Sequence, residues 1–249
     1  VHLFEAVRNT KSVKVVVNVT SDKCYENREW VWGYREDEAM GGYDPYSSSK
    51  GCSELVTQAY RQSFLVNEGI RVASARAGNV IGGGDWSLDR LVPDLLRALE
   101  TNQPALIRNP SAIRPWQHVL EPLYGYLTLA ENLFLERGEA YAQAWNFGPN
   151  DSDARPVSWI ADQLVKSWGG SANWVLDGDP HPHEANYLKL DISKAKDGLG
   201  WSPTWDLSIA LKRIIEWHLA FQAKKDMHQF SLDQIAQYQE SVLLKNKAF

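Results

Sequence analysis

The sequence predicts an α/β protein built on a doubly wound parallel sheet. Short runs of apolar, β-branched residues alternate along the chain with longer amphipathic stretches, and polar residues or glycines bound each run. Such runs form strands that are buried on both faces, as in a parallel sheet covered by helices. With 249 residues, of which 44% are apolar and 23% charged, the chain is long enough to bury a substantial core.

The first half of the chain supplies a helix, a strand, a helix and a strand in that order. Apolar residues recur at helical spacing from Val1 to Val7, and residues 14–19 (KVVVNV) form the first predicted strand. A long helix follows Pro45 and covers Ser47 to Leu65, and residues 71–80 (RVASARAGNV) form the second predicted strand. This alternation is typical of a doubly wound fold.

Elements in the second half are shorter, because prolines interrupt the sequence beyond Asp85. Amphipathic spacing predicts helices over residues 120–135, 157–168 and 208–221, and an apolar run predicts a strand over residues 145–147. The second half therefore forms a smaller, mixed α/β region. Since no flexible linker separates the halves, we expect their elements to interleave.

Composition narrows the range of partners. The 26 basic and 31 acidic residues give a net charge of −5, which leaves no excess of positive charge for a nucleic-acid backbone. No apolar run approaches the roughly 18 residues of a membrane-spanning helix. Cys24 and Cys52 give no disulfide framework, which is typical of a reducing cytoplasm. We expect a cytoplasmic protein that binds neither nucleic acid nor membranes.

A run of four polar residues directly follows the first predicted strand: Thr20, Ser21, Asp22 and Lys23. In an open parallel sheet, ligands bind beyond the carboxyl ends of the strands, so these side chains emerge where a functional site is expected. The alternative is a polar exit from the strand in which Asp22 caps a turn. Position alone leaves both interpretations open.

Tyr46 and Lys50 are four residues apart in the long predicted helix, so their side chains lie on one face, one turn from each other. An ammonium group close to a phenol favours the phenolate and lowers the pKa of the phenol, which can then act as a general base. Tyr-x-x-x-Lys arises often by chance. The motif indicates a functional site because of Asp22, which a loop of about two dozen residues can bring close to Tyr46.

Longer motifs contain these residues: NVTSDKCYENREWVWGYRE (18–36), GGYDPYSSSKGCSELV (41–56), RAGNVIGGGDW (76–86) and IRPWQHVLEPL (113–123). With these motifs the chain resembles the nucleotide-sugar 4,6-dehydratases of the extended short-chain dehydrogenase/reductase family over essentially its whole length. The resemblance implies that residues 1–85 are the latter part of a Rossmann-like NAD-binding domain. It also implies that residues 86–249 mainly form a sugar-nucleotide-binding lobe, with Rossmann elements returning around residues 116–150.

Enzymes of this family begin with a βαβ unit whose Gly-x-x-Gly-x-x-Gly turn holds the dinucleotide pyrophosphate. No such turn precedes the first strand, so we expect the chain to enter the fold partway through its nucleotide-binding half, without the N-terminal βαβ units. Gly82, Gly83 and Gly84 do not replace that turn, because no fingerprint helix follows them. We interpret them as a flexible loop at the mouth of the substrate site.

The resemblance also implies a reaction and a cofactor. NAD oxidises the sugar at C4, water is lost across C5 and C6, and C6 is reduced, so that the cofactor ends as it began. Tyr46 is the implied base at the 4-hydroxyl, Ser21 is its hydrogen-bonding partner there, and Lys50 holds the nicotinamide ribose. Asp22 is the implied acid for the departing 6-hydroxyl, and Lys23 is the candidate for the C5 proton.

Lys23 stands where other dehydratases have glutamate, and lysine at this position is similar to the enzymes that act on CDP-glucose. The resemblance therefore implies CDP-glucose as the substrate, in a step that feeds deoxysugar biosynthesis. Which of Asp22 and Lys23 is the acid and which is the base stays open. The resemblance adds Thr20, Ala77 and Val80 as cofactor-binding residues.

Residues expected to bind the sugar nucleotide lie later in the chain. Asn79 matches the family's diphosphate-binding position, and Arg114 matches its nucleotide-binding arginine, whose planar fork suits a diphosphate. Tyr187 matches a late aromatic contact. A further stretch that the family brings to the nucleotide comprises Arg90, Leu91 and Val92.

Other conspicuous residues are assigned structural roles. His181, His183 and Glu184 lack a further clustered ligand at a recognisable spacing, so we expect no metal site there. Nothing pairs Cys24 with a base, and we interpret it as a packing residue. The tryptophans of the closing segment are expected to be structural: Trp201, Trp205 and Trp217.

Two alternatives to a dehydratase stay open. A nucleotide-sugar epimerase of the same fold needs Tyr46 and Lys50 but no acid beside the serine, so Asp22 and Lys23 argue against it. The second alternative is a catalytically silent binding module. By resemblance, we expect a homodimer or homotetramer, paired through the helix that carries Tyr46 and the helix that precedes the first strand.

Overall fold

The computed structural model describes residues 1–169, 173–179 and 187–247. These residues fall into two compact units whose chain segments alternate. The first unit comprises Val1–Gly78, Pro122–Gly148 and Leu188–Ser202. The second unit comprises Asn79–Glu121, Pro149–Tyr187 and Pro203–Phe249. The cofactor and substrate roles assigned to parts of the chain stay predictions.

Helices and strands are numbered separately in chain order. The helices are α1 (His2–Arg8), α2 (Pro45–Tyr60), α3 (Leu91–Glu100), α4 (Leu120–Phe134), α5 (Val157–Trp168), α6 (Ser193–Leu199), α7 (Leu207–Gln222) and α8 (Met227–Lys247). The strands are β1 (Val15–Val19), β2 (Arg71–Ala77), β3 (Val80–Ile81), β4 (Ala105–Ile107), β5 (Ile113–Arg114), β6 (Gln117–His118), β7 (Ala144–Phe147), β8 (Arg155–Pro156) and β9 (Trp174–Leu176).

A parallel sheet with the strand order β1-β2-β7 forms the centre of the first unit. In its register Val15 is opposite Arg71, and Ser74 is opposite Ala144. β2 is the central strand and is buried along almost its whole length, as expected of a strand covered on both faces. The predicted α/β class with a parallel sheet is therefore confirmed.

Apolar side chains pack on both faces of this sheet. One cluster joins β1 and β2 to α1 and the end of the α2 region: Phe4, Val7, Leu65, Ile70 and Val72. The other joins β2 and β7 to α4 and α6, and its buried members include Tyr25, Tyr34, Leu129, Leu133, Trp145, Phe147 and Trp201. The burial of Trp201 agrees with the structural role predicted for it.

The second unit contains short strand pairs instead of a single wide sheet. β3 pairs with β6 and β4 with β9, both in parallel, whereas β5 and β8 are antiparallel. Its core lies between α3, α5 and α7, and the fully buried members include Val92, Leu95, Ile160, Leu164, Leu211 and Ile214. These elements match the smaller, mixed α/β region expected from the second half of the sequence.

The predicted strand over residues 71–80 is divided in the structure. β2 ends at Ala77, and Val80 and Ile81 form β3, which pairs with β6 in the second unit. The backbone carbonyl of Asn79 accepts a hydrogen bond from the amide of Gln117 at 3.0 Å. A continuous apolar run does not reveal this change of partner, because hydrophobic periodicity is the same before and after it.

The observed helices agree with the bounds predicted from the sequence to different degrees. α5 has the predicted bounds, and α7 extends the predicted range by one residue at each end. α3 and α8 were not expected. In α3, Pro93 lies in the first turn, where proline is tolerated, although it resembles a helix breaker in the sequence. No helix among the described residues has the length and apolar character needed to cross a membrane.

A buried carboxylate holds the closing turn of the second unit. Glu121 is fully buried and accepts hydrogen bonds from the backbone amides of Thr204 and Trp205 at 2.9 and 2.6 Å. The hydroxyl of Tyr238 on α8 donates a third bond at 2.8 Å. Burial raises the pKa of Glu121 despite these donors. Trp205 is thereby fixed in the core, in agreement with its predicted structural role.

His118 is a buried histidine that the fold keeps neutral. Its ring lies edge-on against Trp205, and Nδ1 accepts a hydrogen bond from the Leu120 amide at 3.3 Å. Nε2 finds no hydrogen-bond partner among the described residues. Burial, with a smaller contribution from the charge of Arg213, lowers the pKa of His118 from 6.5 to about 4.

We predict that the free energy of unfolding falls as the pH is lowered from 7 towards 4, partly through His118. The unfolded chain takes up a proton on this residue near pH 6.5, whereas the folded chain resists until about pH 4. The difference is worth roughly 3 kcal/mol at the acid end of this window. Urea unfolding at pH 7 and pH 4.5 should show a smaller loss for His118→Phe than for the parent.

The exposed His228 offers a matched control, because His228→Gln should leave the acid-dependent loss of stability unchanged. If the parent and His118→Phe lose equal stability between the two pH values, His118 does not contribute to acid unfolding.

Candidate active site

The carboxyl end of β1 leads directly into the predicted Thr20–Lys23 cluster. Ser21 and Asp22 are buried, with 8% and 3% of their surfaces exposed, and Lys23 is half-buried. The Ser21 hydroxyl donates to Asp22 Oδ1 at 3.0 Å, and its oxygen accepts from the Lys23 amide at 3.2 Å. Ser21 therefore caps the single turn of 3-10 helix at Asp22–Cys24, which corrects the alternative that Asp22 caps it.

The helix that carries Tyr46 and Lys50 begins with a strong N-cap. Asp44 Oδ1 accepts from the Ser47 amide at 2.9 Å, and Oδ2 accepts from the Ser47 hydroxyl at 2.6 Å. These bonds hold the pKa of Asp44 below its usual value. Tyr46 is 55% exposed, and the Lys50 ammonium lies 5.5 Å from the centre of its ring. The two side chains share one face of α2, as their spacing predicts.

The start of α2 lies against the turn that carries Ser21 and Asp22. The Gly41 amide donates to the Cys24 carbonyl at 3.0 Å, which ties the incoming loop to that turn. A Cβ atom on Gly42 would lie only 2.3 Å from the Ser47 Cβ, so glycine is needed for the close approach. The charge of Lys23 contributes to the lowered pKa of Asp44. The first unit thus brings the strand exit and the Tyr46 helix together, as predicted.

A buried ion pair links α2 to the central strand. Glu54, on α2, and Arg76, on β2, have 3% and 1% of their surfaces exposed. Glu54 Oε2 accepts from an Arg76 amino group at 2.9 Å and from the Ser74 hydroxyl at 2.6 Å, and Oε1 accepts from the Thr20 hydroxyl. Burial opposes both charges. The hydrogen bond from Arg76 nevertheless keeps the pKa of Glu54 below its usual value.

Sequence reasoning missed this pair, although one signal was present. An arginine stands within RVASARA, a run otherwise typical of a strand buried on both faces. A buried charge requires a partner, and Glu54 occurs in the facing helix. The pattern does not say which acidic residue is that partner.

The residues predicted to hold a cofactor fall in both units. Thr20 follows β1, and its amide donates to the Ala75 carbonyl on β2 at 2.9 Å. Ala77 ends β2, so Thr20 and Ala77 mark the carboxyl ends of two adjacent parallel strands. Val80 is 36% exposed and belongs to the second unit.

Predicted substrate residues of the second unit include the start of α3. Arg90 directly precedes the helix and is exposed, and Leu91 forms the first helical residue. The side chain of Val92 is buried in the core, so only its backbone is available to a ligand. Asn79 is half-buried beside β3. The structure does not test whether these residues contact a ligand.

Arg114 and Tyr187 lie close together in the second unit. Ile113, next to Arg114 on β5, forms a parallel bridge with Tyr187. On the other side, Arg114 is directly opposite Arg155 in the β5–β8 pair. The Arg114 guanidinium donates to the Ile113 carbonyl at 3.1 Å, and that of Arg155 lies 5.5 Å from the centre of the Trp159 ring. Arg155 was not predicted, and its only sequence signal is its place ahead of an amphipathic helix.

Other sequence features have structural explanations. The glycine loop at residues 82–84 packs on Trp217, and a Cβ on Gly83 would lie 2.2 Å from that ring. Cys24 is fully buried in the core, as expected of a packing residue. His181, His183 and Glu184 lie outside the described residues. Within the described part of the chain, no group of three or more His, Cys, Asp or Glu side chains could hold a metal ion.

Comparison with known proteins adds a family to this geometry. The sequence model described as GDP-mannose 4,6 dehydratase matches residues 1–214. The chain belongs to this family. CDP-glucose 4,6-dehydratase of Salmonella typhimurium is 57% identical over 243 residues, which are 96% of this chain and 67% of that protein. A dTDP-glucose 4,6-dehydratase of Streptomyces griseus is 25% identical over 208 residues, or 81% of this chain and 58% of that protein.

Solved structures confirm the Rossmann-type fold. The dTDP-glucose 4,6-dehydratase of Bacillus anthracis, in complex with NAD, gives a TM-score of 0.70 at 19% identity and covers 87% of this chain and 65% of its own. The UDP-glucuronic acid 4-epimerase of Bacillus cereus gives 0.75 at 20% identity, with 88% and 65% covered. Family members and epimerases share the fold, and this chain spans about two thirds of their length.

We predict that Asp44→Ala lowers the free energy of unfolding by about 1 kcal/mol, because the amide and hydroxyl of Ser47 lose their acceptor. Urea unfolding at pH 7 measures the change. Asp44→Asn keeps one acceptor oxygen and should lose less. Equal losses in the two variants would contradict the role of Asp44 as the cap that fixes the start of α2.

Proposed function

We propose that this chain carries the catalytic residues of an NAD-dependent CDP-glucose 4,6-dehydratase. The observation that supports this best is the buried Asp22 beside Ser21, next to the helix that carries Tyr46 and Lys50. Loss of water requires an acid for the departing hydroxyl, whereas an epimerase needs none there. The 57% identity to the Salmonella enzyme supports CDP-glucose as the substrate.

Each proposed catalytic residue lies in the first unit and has its own role in this reaction. Tyr46 accepts the proton of the sugar 4-hydroxyl, and Ser21 donates a hydrogen bond to the same oxygen. The Lys50 ammonium, close to the Tyr46 ring, stabilises the phenolate. The ketone at C4 makes the C5–H acidic, so Lys23 removes that proton while Asp22 protonates the 6-hydroxyl, which leaves as water. The net change is the loss of one water molecule.

Residues of the first unit fit a nicotinamide dinucleotide. The Tyr46 hydroxyl and the Lys50 ammonium are donors on one accessible face of α2, which suits the hydroxyl groups of a ribose. Thr20 and the small Ala77 lie at the carboxyl ends of adjacent parallel strands, where dinucleotides bind in doubly wound folds. Bound NAD supplies the oxidation at C4 and the matching reduction at C6.

The second unit supplies the residues for the sugar nucleotide. Arg114 and Arg155, opposite each other on β5 and β8, carry planar guanidinium groups that suit a diphosphate. Tyr187, bridged to the neighbouring Ile113, adds an aromatic contact. Further polar side chains and backbone groups for the sugar nucleotide are expected from Asn79, Arg90, Leu91 and Val92.

We predict that Asp22→Asn abolishes dehydration by the full-length enzyme. The amide cannot donate the carboxyl proton to the 6-hydroxyl, so product formation should fall by about 100-fold or more. Mass spectrometry of the sugar nucleotide after incubation with CDP-glucose and NAD detects the product, which is lighter by one water. The oxidation at C4 should persist and appear as NADH absorbance in a single turnover.

Asp197→Asn is the matched control, because Asp197 is an exposed acid on α6 and the substitution should leave turnover unchanged. Full turnover by Asp22→Asn would remove Asp22 from the role of acid. A parent product of unchanged mass with inverted C4 would indicate an epimerase instead.

The proposal includes pairing of two copies through α1 and α2. Both elements expose apolar side chains, since Leu3 and Leu55 are each 56% exposed and Phe64, just after α2, is 40% exposed. We expect light scattering to give a dimer or tetramer for the parent and a smaller assembly for Leu55→Glu. Leu127→Glu, on the exposed face of α4, is the control that should keep the parent mass. Unchanged assembly in Leu55→Glu would exclude this interface.

A further inference from the structure

A short segment between the sheet and α2 carries the proposed acid and its neighbours. This anchored segment, Thr20–Tyr25, begins where β1 ends and contains Ser21, Asp22 and Lys23. We infer that the buried Glu54–Arg76 pair is a positioning device that clamps both ends of the anchored segment and fixes it relative to Tyr46 and Lys50. The catalytic part of this inference rests on the proposed dehydratase function.

Glu54 holds the first end of the segment. Its Oε1 accepts a hydrogen bond from the Thr20 hydroxyl, directly before Ser21. Glu54 lies one helical turn beyond Lys50 and two turns beyond Tyr46 on α2. The carboxylate therefore connects the strand exit to the same rigid helix that carries the proposed base.

Arg76 holds the second end. Its Nη2 donates to Glu54 Oε2 at 2.9 Å, and its Nη1 donates to the Tyr25 hydroxyl at 2.8 Å and to the Glu36 carbonyl at 3.0 Å. The Tyr25 hydroxyl in turn donates to Asn146 Oδ1 on β7 at 2.7 Å. Tyr25 is almost completely buried, and the guanidinium lies 5.0 Å from the centre of its ring. The last residue of the segment is thus fixed to two strands of the sheet.

Besides the two ends of the segment, the pair holds the Glu36 carbonyl and the Ser74 hydroxyl. Both side chains are almost completely buried, and two charges in such a place are not required for stability. An apolar pair of similar volume often serves stability as well or better. What an apolar pair cannot do is hold the hydroxyls of Thr20 and Tyr25. The arrangement therefore points to positioning.

A second contact between the sheet and α2 provides a matched control. The Asn18 amide on β1 donates to the Thr57 hydroxyl on α2 at 2.7 Å. Thr57 is as deeply buried as the ion pair, yet this contact touches neither end of the anchored segment. Thr57→Val removes it and should not disturb the site.

The test uses the full-length enzyme with both charges replaced, Glu54→Leu together with Arg76→Met. Because no lone charge is left buried, we expect folding with an unfolding midpoint close to that of the parent. The kcat for CDP-glucose should fall by about 10- to 100-fold while KM changes by less than about threefold, since the reacting groups are misplaced but the nucleotide contacts remain. If the pair serves stability alone, the double variant should keep the kcat of the parent as well as its unfolding midpoint.

Cys24 gives a second readout that needs neither substrate nor cofactor. It lies within the anchored segment, is fully buried, and burial raises the pKa of its thiol to about 12, so it reacts only when the segment opens. With the exposed Cys52 replaced by serine, peptide mapping after alkylation measures the rate at Cys24. We expect the rate to rise about tenfold or more in the double variant and to stay near the parent rate in Thr57→Val.

The two readouts separate this inference from the proposed function. A folded double variant with parental Cys24 reactivity and parental kcat overturns the clamp. If the parent does not dehydrate CDP-glucose, the proposed function fails, while the Cys24 rates still decide whether the pair holds the segment. If the double variant does not fold, Tyr25→Phe takes its place, because it removes only the hydroxyl that Arg76 holds. An unchanged Cys24 rate in Tyr25→Phe then overturns the clamp.

Discussion

The charges of Glu54 and Arg76 lie inside the first unit, with 3% and 1% of the two residues exposed. A buried charge that loses its partner destabilises a protein by about 3–5 kcal/mol, so the elements that carry the pair have one favourable relative position. Ser74 and Arg76 are two residues apart on β2 and point to the same face of the sheet, where both meet Glu54. The position of α2 therefore depends on charge pairing as well as on apolar packing.

Sequence information was sufficient where the deciding contacts are local. The apolar run of β1, the Tyr46–Lys50 spacing and the amphipathic pattern of α5 each determine their element within a few residues. The Glu54–Arg76 pair is different, because its members are 22 residues apart and the arginine within β2 signals a buried charge without indicating its partner. The same holds for Arg155, whose position opposite Arg114 depends on the pairing of two strands of two residues each.

α8 shows why amphipathicity alone does not find every helix. Several of its apolar side chains are exposed, among them Leu232, Ile235, Leu243 and Leu244. The buried ones are Gln234, Tyr238 and Val242. Two of these three are polar, and Tyr238 is held by its hydrogen bond to Glu121. A helix whose buried face consists largely of hydrogen-bonding residues lacks the apolar stripe on which sequence prediction relies.

Because a 4-epimerase shares this fold, the fold alone does not decide between the two reactions. Under the proposed function, the choice lies in a few side chains at the end of β1. In this chain the clamp holds Thr20 and Tyr25, the two residues that flank Ser21, Asp22 and Lys23. Since the clamp contacts the ends of the segment, the residues between can differ without loss of its hydrogen bonds. The clamp therefore keeps Tyr46 and Lys50 in the same position relative to the segment, whichever acid or base occupies positions 21–23. Under the proposed function, the geometry of the first oxidation is thereby separated from the chemistry that follows it.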